Sequence, residues 1–185
     1  MIYEHKSLSK YQFYTFNCLI MKKSLWLLSL LWVLILSGCG WSSNVVEYND
    51  NLVAIVKECT DANQELFQTF QADKSTLDSI AESLQSNIEI CNNAKVKATE
   101  LWNYDKDSSL KDAVITLMDM EVTYLEKFWA TQRYRNIDNI TDEDKSAYDG
   151  LVSELNEAQN ILNQQFTNLQ TIQEEFAVKH WLKLE

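Results

Sequence analysis

Few side chains in this chain could carry out chemistry: four cysteines, two histidines and a set of acidic residues. After residue 40 the only histidine is His180, and no glutamate lies three residues before it, so the Glu-x-x-His pairs of a di-iron bundle are missing. Cys59 and Cys91 are far apart in sequence and have no neighbouring histidine with which to bind zinc. His180 is the one candidate base for a nucleophile, but a histidine near a helix C-terminus more often complements the helix dipole. We therefore predict no catalytic site, no metal and no cofactor.

The carboxylates and glycines also give no indication of a catalytic or ligand-binding site. Asp119, Glu121 and Glu126 flank a stripe of methionine and aromatic residues, and we interpret them as the solvated edge of a helix rather than as ligands. The chain has only 3 glycines, which cannot form a glycine-rich phosphate loop. Enzymatic activity is accordingly not expected.

The cysteine with the clearest chemical context is Cys39. Met21-Lys22-Lys23 is followed by an apolar run over 25–36, which as a helix rises only about 18 Å and is too short to span a bilayer. The run ends Leu36-Ser37-Gly38-Cys39, which closely resembles the lipobox of bacterial lipoproteins. The resemblance implies that 21–38 is a cleaved signal peptide and that the Cys39 thiol receives a diacylglyceryl group. Two or three acyl chains would then anchor the protein to a membrane.

The resemblance also implies a location. We expect an extracytoplasmic protein, held at the outer membrane where the organism has one, because Gly40 rather than aspartate follows the lipidated cysteine. Residues 1–20 fit the signal pattern poorly, and we expect them to be a non-native upstream extension with translation starting at Met21. A short stretch at 173–180 also resembles the C-terminal region of helical surface lipoproteins.

Net charge argues against a nucleic-acid partner. The chain has 16 basic and 27 acidic residues. Residues 1–38 contain four of the basic residues and one of the acidic ones, so the rest of the chain has 12 basic and 26 acidic residues and a net charge of −14. Such a surface repels nucleic acid and anionic lipid head groups.

Apolar residues recur at alternating steps of three and four in four segments, near 44–72, 76–102, 109–135 and 141–180. The loops between them are short, and the chain has no proline. We predict an all-α fold, an antiparallel up-down-up-down four-helix bundle over 45–185, after a short lipid tether at 39–44. Asn44 is the predicted cap of the first helix and Ser108 or Ser109 that of the third. The last helix is expected to open at 141–144, with acidic residues where the helix dipole favours them.

Up-down topology assigns aromatic residues to both ends of the bundle. The membrane side receives Trp41, Trp102, Tyr104 and Trp181, of which Trp41 is expected to touch lipid and the other two tryptophans to do so or to cap the core. The distal end receives five residues that form a candidate binding cluster or simply close the bundle: Phe67, Phe70, Trp129, Tyr134 and Tyr148.

Cys59 and Cys91 fall on the inward stripes of the first two helices, at nearly matching heights if the hairpin turns near residue 74. Once Cys39 carries lipid, they are the two thiols left in the processed protein, in a compartment where disulfides persist. We predict that they form a disulfide, with two reduced core cysteines as the alternative.

The predicted function is a non-catalytic interaction or envelope-structural module, anchored to the membrane through Cys39 and bound to an envelope protein that the sequence does not identify. The alternative is a carrier that holds a small apolar ligand within or at the end of the bundle. A bound small molecule after purification would favour the carrier.

Overall fold

The computed structural model describes residues 43–71, 76–134 and 141–180, which form four α-helices. These are α1 (Ser43–Gln71), α2 (Leu77–Glu100), α3 (Ser109–Gln132) and α4 (Asp142–Lys179). The predicted all-α four-helix bundle is therefore confirmed. The predictions for the upstream extension, the signal peptide, Cys39, Trp41 and Trp181 lie outside the described residues.

Ion pairs link each helix to the next one in the chain. Lys97 of α2 binds Glu58 of α1 at 2.6 Å, and Lys127 of α3 binds Glu154 of α4 at 2.6 Å. Between α2 and α3, Lys95 Nζ lies 2.5 Å from Asp119 Oδ1. These pairs are largely exposed, so each contributes little to stability, about 1 kcal/mol or less.

The backbone of α4 lies closest to α3, while α1 and α4 meet mainly through long side chains. Gln173 Nε2 donates to Asn49 Oδ1 at 2.9 Å, and the rings of Phe176 and Tyr48 lie 5.7 Å apart. Large side chains thus fill the wider seam between the first and last helices.

Local sequence explains where most helices begin. Thr141 caps α4 through a reciprocal capping box with Asp144, as expected for threonine followed three residues later by an acidic residue. Thr76 caps α2 by accepting from the amide of Ser79. The predicted cap at Asn44 is wrong, because α1 already begins at Ser43 and Asn44 lies inside the helix.

The core consists of the inward apolar stripes of all four helices. α3 is buried over a wider face than the single stripe, including Met120, that its apolar spacing predicts. Met118 and Leu125 are fully buried, while Met120 is only partly buried. The reason is that α3 packs against α2 and α4 and also approaches α1 across the bundle. Among the described helices, none is both long enough and apolar enough to cross a bilayer.

Candidate functional site

A disulfide joins α1 to α2 near the middle of the bundle, as the sequence predicts. Cys59 and Cys91 are bonded with their Cα atoms 4.7 Å apart, and both side chains are fully buried. The register of the first hairpin brings the two cysteines together. The same register places Asn63, one turn further along α1, against Asn87, one turn earlier in α2.

Next to the disulfide lies a layer of polar side chains inside the core. Asn63 Nδ2 donates to Glu121 Oε2 at 2.9 Å and lies 3.8 Å from both cysteine sulfur atoms. Asn87 Nδ2 donates to the carbonyl of Ala62 at 2.7 Å and to Asn63 Oδ1 at 3.3 Å. The layer therefore connects α2 to α1 and α1 to α3.

The fourth helix contributes to the same level. Gln173 of α4 is hydrogen-bonded to Asn49 of α1, so these two residues lie at the same height in the bundle. Gln159 precedes Gln173 by the same number of residues by which Asn63 follows Asn49. The antiparallel register therefore puts Gln159 at the height of Asn63, and its side chain is buried. We call Asn63, Asn87, Glu121 and Gln159 the central polar layer.

Glu121 is the residue that the sequence reasoning misjudged. The prediction of a solvated flank is wrong for this residue, whose side chain is only 5% exposed, while Asp119 pairs with Lys95 and Glu126 is exposed. A signal was present, since Glu121 lies three residues after Met118 and four before Leu125, both of them buried.

Burial raises the pKa of the Glu121 carboxyl to about 7, opposed by the hydrogen bond from Asn63. Burial also raises the pKa of the neighbouring Tyr124, and the Glu121 charge adds to that effect. The layer thus holds one carboxyl that gains or loses a proton near neutral pH. Within the described ranges, histidine, cysteine and acidic side chains do not gather in threes at a potential metal site.

The five predicted distal aromatic residues do lie toward the end away from the N-terminus of α1, but in different environments. Phe67 and Phe70 pack around Phe128, with ring centroids at 5.1 and 5.2 Å, and belong to the core and its margin. The rings of Tyr134 and Tyr148 lie 5.9 Å apart at the ends of α3 and α4, and both side chains are half-buried. Trp129 is half-buried against the core.

At the opposite end, aromatic rings gather around Tyr48. Its ring centroid lies 6.0 Å from Trp102, 5.8 Å from Tyr104 and 5.7 Å from Phe176. Trp102 remains 51% exposed, so it covers the core edge and also faces outward. We call this set the N-terminal aromatic end.

A tight turn holds Tyr104 in this position. Asp105 and Lys106 both have positive φ, at 50° and 62°, and Asp107 donates its amide to the Tyr104 carbonyl at 2.8 Å. The Asp107 carboxylate also binds Lys179 at 2.7 Å, and this contact, with Ser109, holds the pKa of Asp107 well below its usual range.

His180 belongs to the same end and has a packing role. Its ring lies 4.8 Å from Tyr104 and 4.5 Å from Phe176, at the C-terminal cap of α4.

A shallow groove of about 250 Å³ runs between α3 and α4. Met120, Ala158 and Ile161 form its apolar floor, and the Lys127–Glu154 ion pair lies at its edge. The groove is partly open to solvent.

No protein-family model, curated protein or solved structure matches this chain.

Proposed function

We propose that this chain is a lipid-anchored extracytoplasmic module that acts by binding another component of the cell envelope, without catalysis. The observation that carries the proposal is the Leu36-Ser37-Gly38-Cys39 sequence, followed within four residues by the start of α1. Lipid on Cys39 would therefore hold the folded bundle directly against the bilayer, since four residues span at most about 14 Å.

The Cys59–Cys91 disulfide supports the same compartment by an independent route. Disulfides form and persist outside the cytoplasm and are rare in the reducing cytosol. A fully buried bond between two core helices suits a protein that folds after export, and Cys39 has a separate proposed role.

The N-terminal aromatic end suits an orientation with this end toward the membrane. Trp102 is half exposed there and Tyr104 lies beside it, and both residue types favour the depth of lipid head groups. Asp107 and Lys179 neutralise each other's charge at this end of an otherwise acidic molecule.

Replacing Cys39 by serine is expected to abolish lipidation, because the hydroxyl of serine is a far weaker nucleophile than a thiol at the step that transfers the diacylglyceryl group. Metabolic labelling with a fatty-acid probe in the native host measures this. A Ser37→Ala variant keeps a small residue before the cleavage site and should be labelled like the natural protein. Labelling of the Cys39→Ser protein at the natural level would refute the anchor.

In this proposal the partner binds the distal end, which faces away from the proposed anchor. Trp129, Tyr134 and Tyr148 are half-buried there, and tryptophan and tyrosine are enriched where proteins bind one another. The carrier alternative has less support from the α3–α4 groove, because its volume of about 250 Å³ is below that of typical ligand pockets and it is partly open.

A photo-crosslinking residue at Tyr134 is therefore expected to capture a defined envelope protein in living cells. The matched control carries the same residue at Val96, which is 53% exposed on α2 and lies near the other end. Equal capture from both positions would count against a distal binding surface. A stoichiometric small molecule in the native mass spectrum of the purified protein would instead favour the carrier.

A further inference from the structure

Glu121 lies where α3 contacts the hairpin that α1 and α2 form. Its carboxylate accepts from Asn63 of α1, which in turn accepts from Asn87 of α2, and the disulfide closes the same hairpin one turn away. The α1–α2 hairpin is thus joined covalently. Its buried polar contact with α3 at this level is made by Glu121, and the Lys95–Asp119 ion pair joins α2 to α3 nearby in a more exposed position.

We infer that the central polar layer is a pH-sensitive switch, in which protonated Glu121 holds α3 against the α1–α2 hairpin and ionised Glu121 loosens that contact. The physical reason is the cost of a buried charge. A carboxylate inside a protein needs several donors or a cation to offset lost hydration, and here a single amide hydrogen bond is in place on Oε2. Separation of α3 from the hairpin would admit water and lower that cost.

The groups that surround Glu121 do not supply a compensating charge. α1 and α2 face it with the amides of Asn63 and Asn87 and with the disulfide. The charge of Lys95 on α2 is paired with Asp119, and both side chains are partly exposed. On α3 the neighbouring titratable group is Tyr124, whose phenol is neutral in this pH range. α4 brings the neutral amide of Gln159 to the same level, whereas its charged Glu154 and Glu157 line the open groove outside.

The sign of the pH effect follows from these surroundings. Because the pKa is raised in the folded protein from 4.5 to about 7, the folded state holds this proton over a range in which the unfolded chain has lost it. The contribution of Glu121 to stability is full below pH 4.5, declines as pH rises toward 7, and is absent above. From well below pH 4.5 to well above pH 7, the folding equilibrium constant falls by about 300-fold through this group alone.

The direct test is a titration of the Glu121 side-chain carboxyl by ¹³C nuclear magnetic resonance in the intact, oxidised protein. A midpoint near 7 is expected, and a midpoint near 4.5 would overturn the proposal. The Asn63→Ala variant should raise the midpoint further, because it removes the donor that favours the charged form.

A second measurement follows the switch itself. Hydrogen exchange of the α3 amides, corrected for the intrinsic effect of pH, should become faster between pH 6 and pH 8 in the natural protein. Glu121→Gln keeps the shape of the side chain without its charge and should remove the change, whereas Glu126→Gln, on the exposed side of α3, should keep it. Parallel behaviour of all three proteins would overturn the switch and leave the proposed lipid anchor untouched.

Discussion

Replacing Phe128 by alanine is expected to lower the free energy of unfolding by about 3–5 kcal/mol, the usual cost of deleting a buried aromatic ring. Phe128 is only 2% exposed, and both Phe67 and Phe70 meet it edge-on from α1. These pairs add to the loss, since edge-to-face ring contacts contribute about 0.5–1.5 kcal/mol beyond simple burial. Urea denaturation of the purified variant measures the change.

The control for Phe128 is Tyr134→Ala at the same end of α3. Tyr134 is half-buried, so its removal should cost clearly less, below about 2 kcal/mol. A Phe128→Ala protein as stable as Tyr134→Ala would mean that the phenylalanines of this end are not part of the core. In that case Phe67 and Phe70 would again be candidates for the binding surface, whereas their packing against Phe128 indicates that they belong to the core.

Apolar spacing was sufficient to predict the four helices and their antiparallel order. Steps of three and four mark a single helical face, and short loops leave few alternatives for neighbouring helices. The Cys59–Cys91 pair followed from the same register, because two inward positions at nearly equal height on adjacent helices lie within disulfide distance.

Glu121 shows where spacing along one helix is insufficient. A carboxylate beside an apolar stripe is solvated if the helix has one buried face, but α3 contacts three other helices and has a wider one. The width of a buried face depends on how many neighbours a helix has. The number of neighbours is a property of the assembled bundle. In the sequence of α3 alone, only the spacing of Glu121 from Met118 and Leu125 indicated the wider buried face.

The conformation of the turn at Tyr104 was missed for a different reason. Positive φ is expected at glycine or asparagine, yet here Asp105 and Lys106 adopt it. Besides the local hydrogen bond from Asp107 to Tyr104, the loop is tied to the end of α4 by the Asp107–Lys179 ion pair, a contact between residues far apart in sequence. The spacing of the helices predicted a loop here and placed Tyr104 at this end of the bundle, where the structure has it, but it did not predict the two positive φ angles.

Removal of the disulfide, by replacing both Cys59 and Cys91 with alanine, is expected to destabilise the protein by about 3–4 kcal/mol. The two residues are 32 apart in sequence, so the bond closes a long loop and restricts the unfolded chain strongly. The bond also ties α1 to α2 beside the central polar layer, where Asn63 contacts both sulfur atoms. Denaturant unfolding of the oxidised natural protein and the variant measures the difference.

Reduction separates the effect of the bond from the effect of lost sulfur packing. Both sulfur atoms are fully buried, so alanine at these sites also removes core contacts. The natural protein should therefore lose most of its advantage in strong reductant, while the double variant should unfold at the same denaturant concentration with and without it. Thiol titration of the denatured protein, purified without reductant, provides the direct count. Free thiols at both Cys59 and Cys91, together with a natural protein whose stability is insensitive to reductant, would show that the two side chains only fill space between α1 and α2.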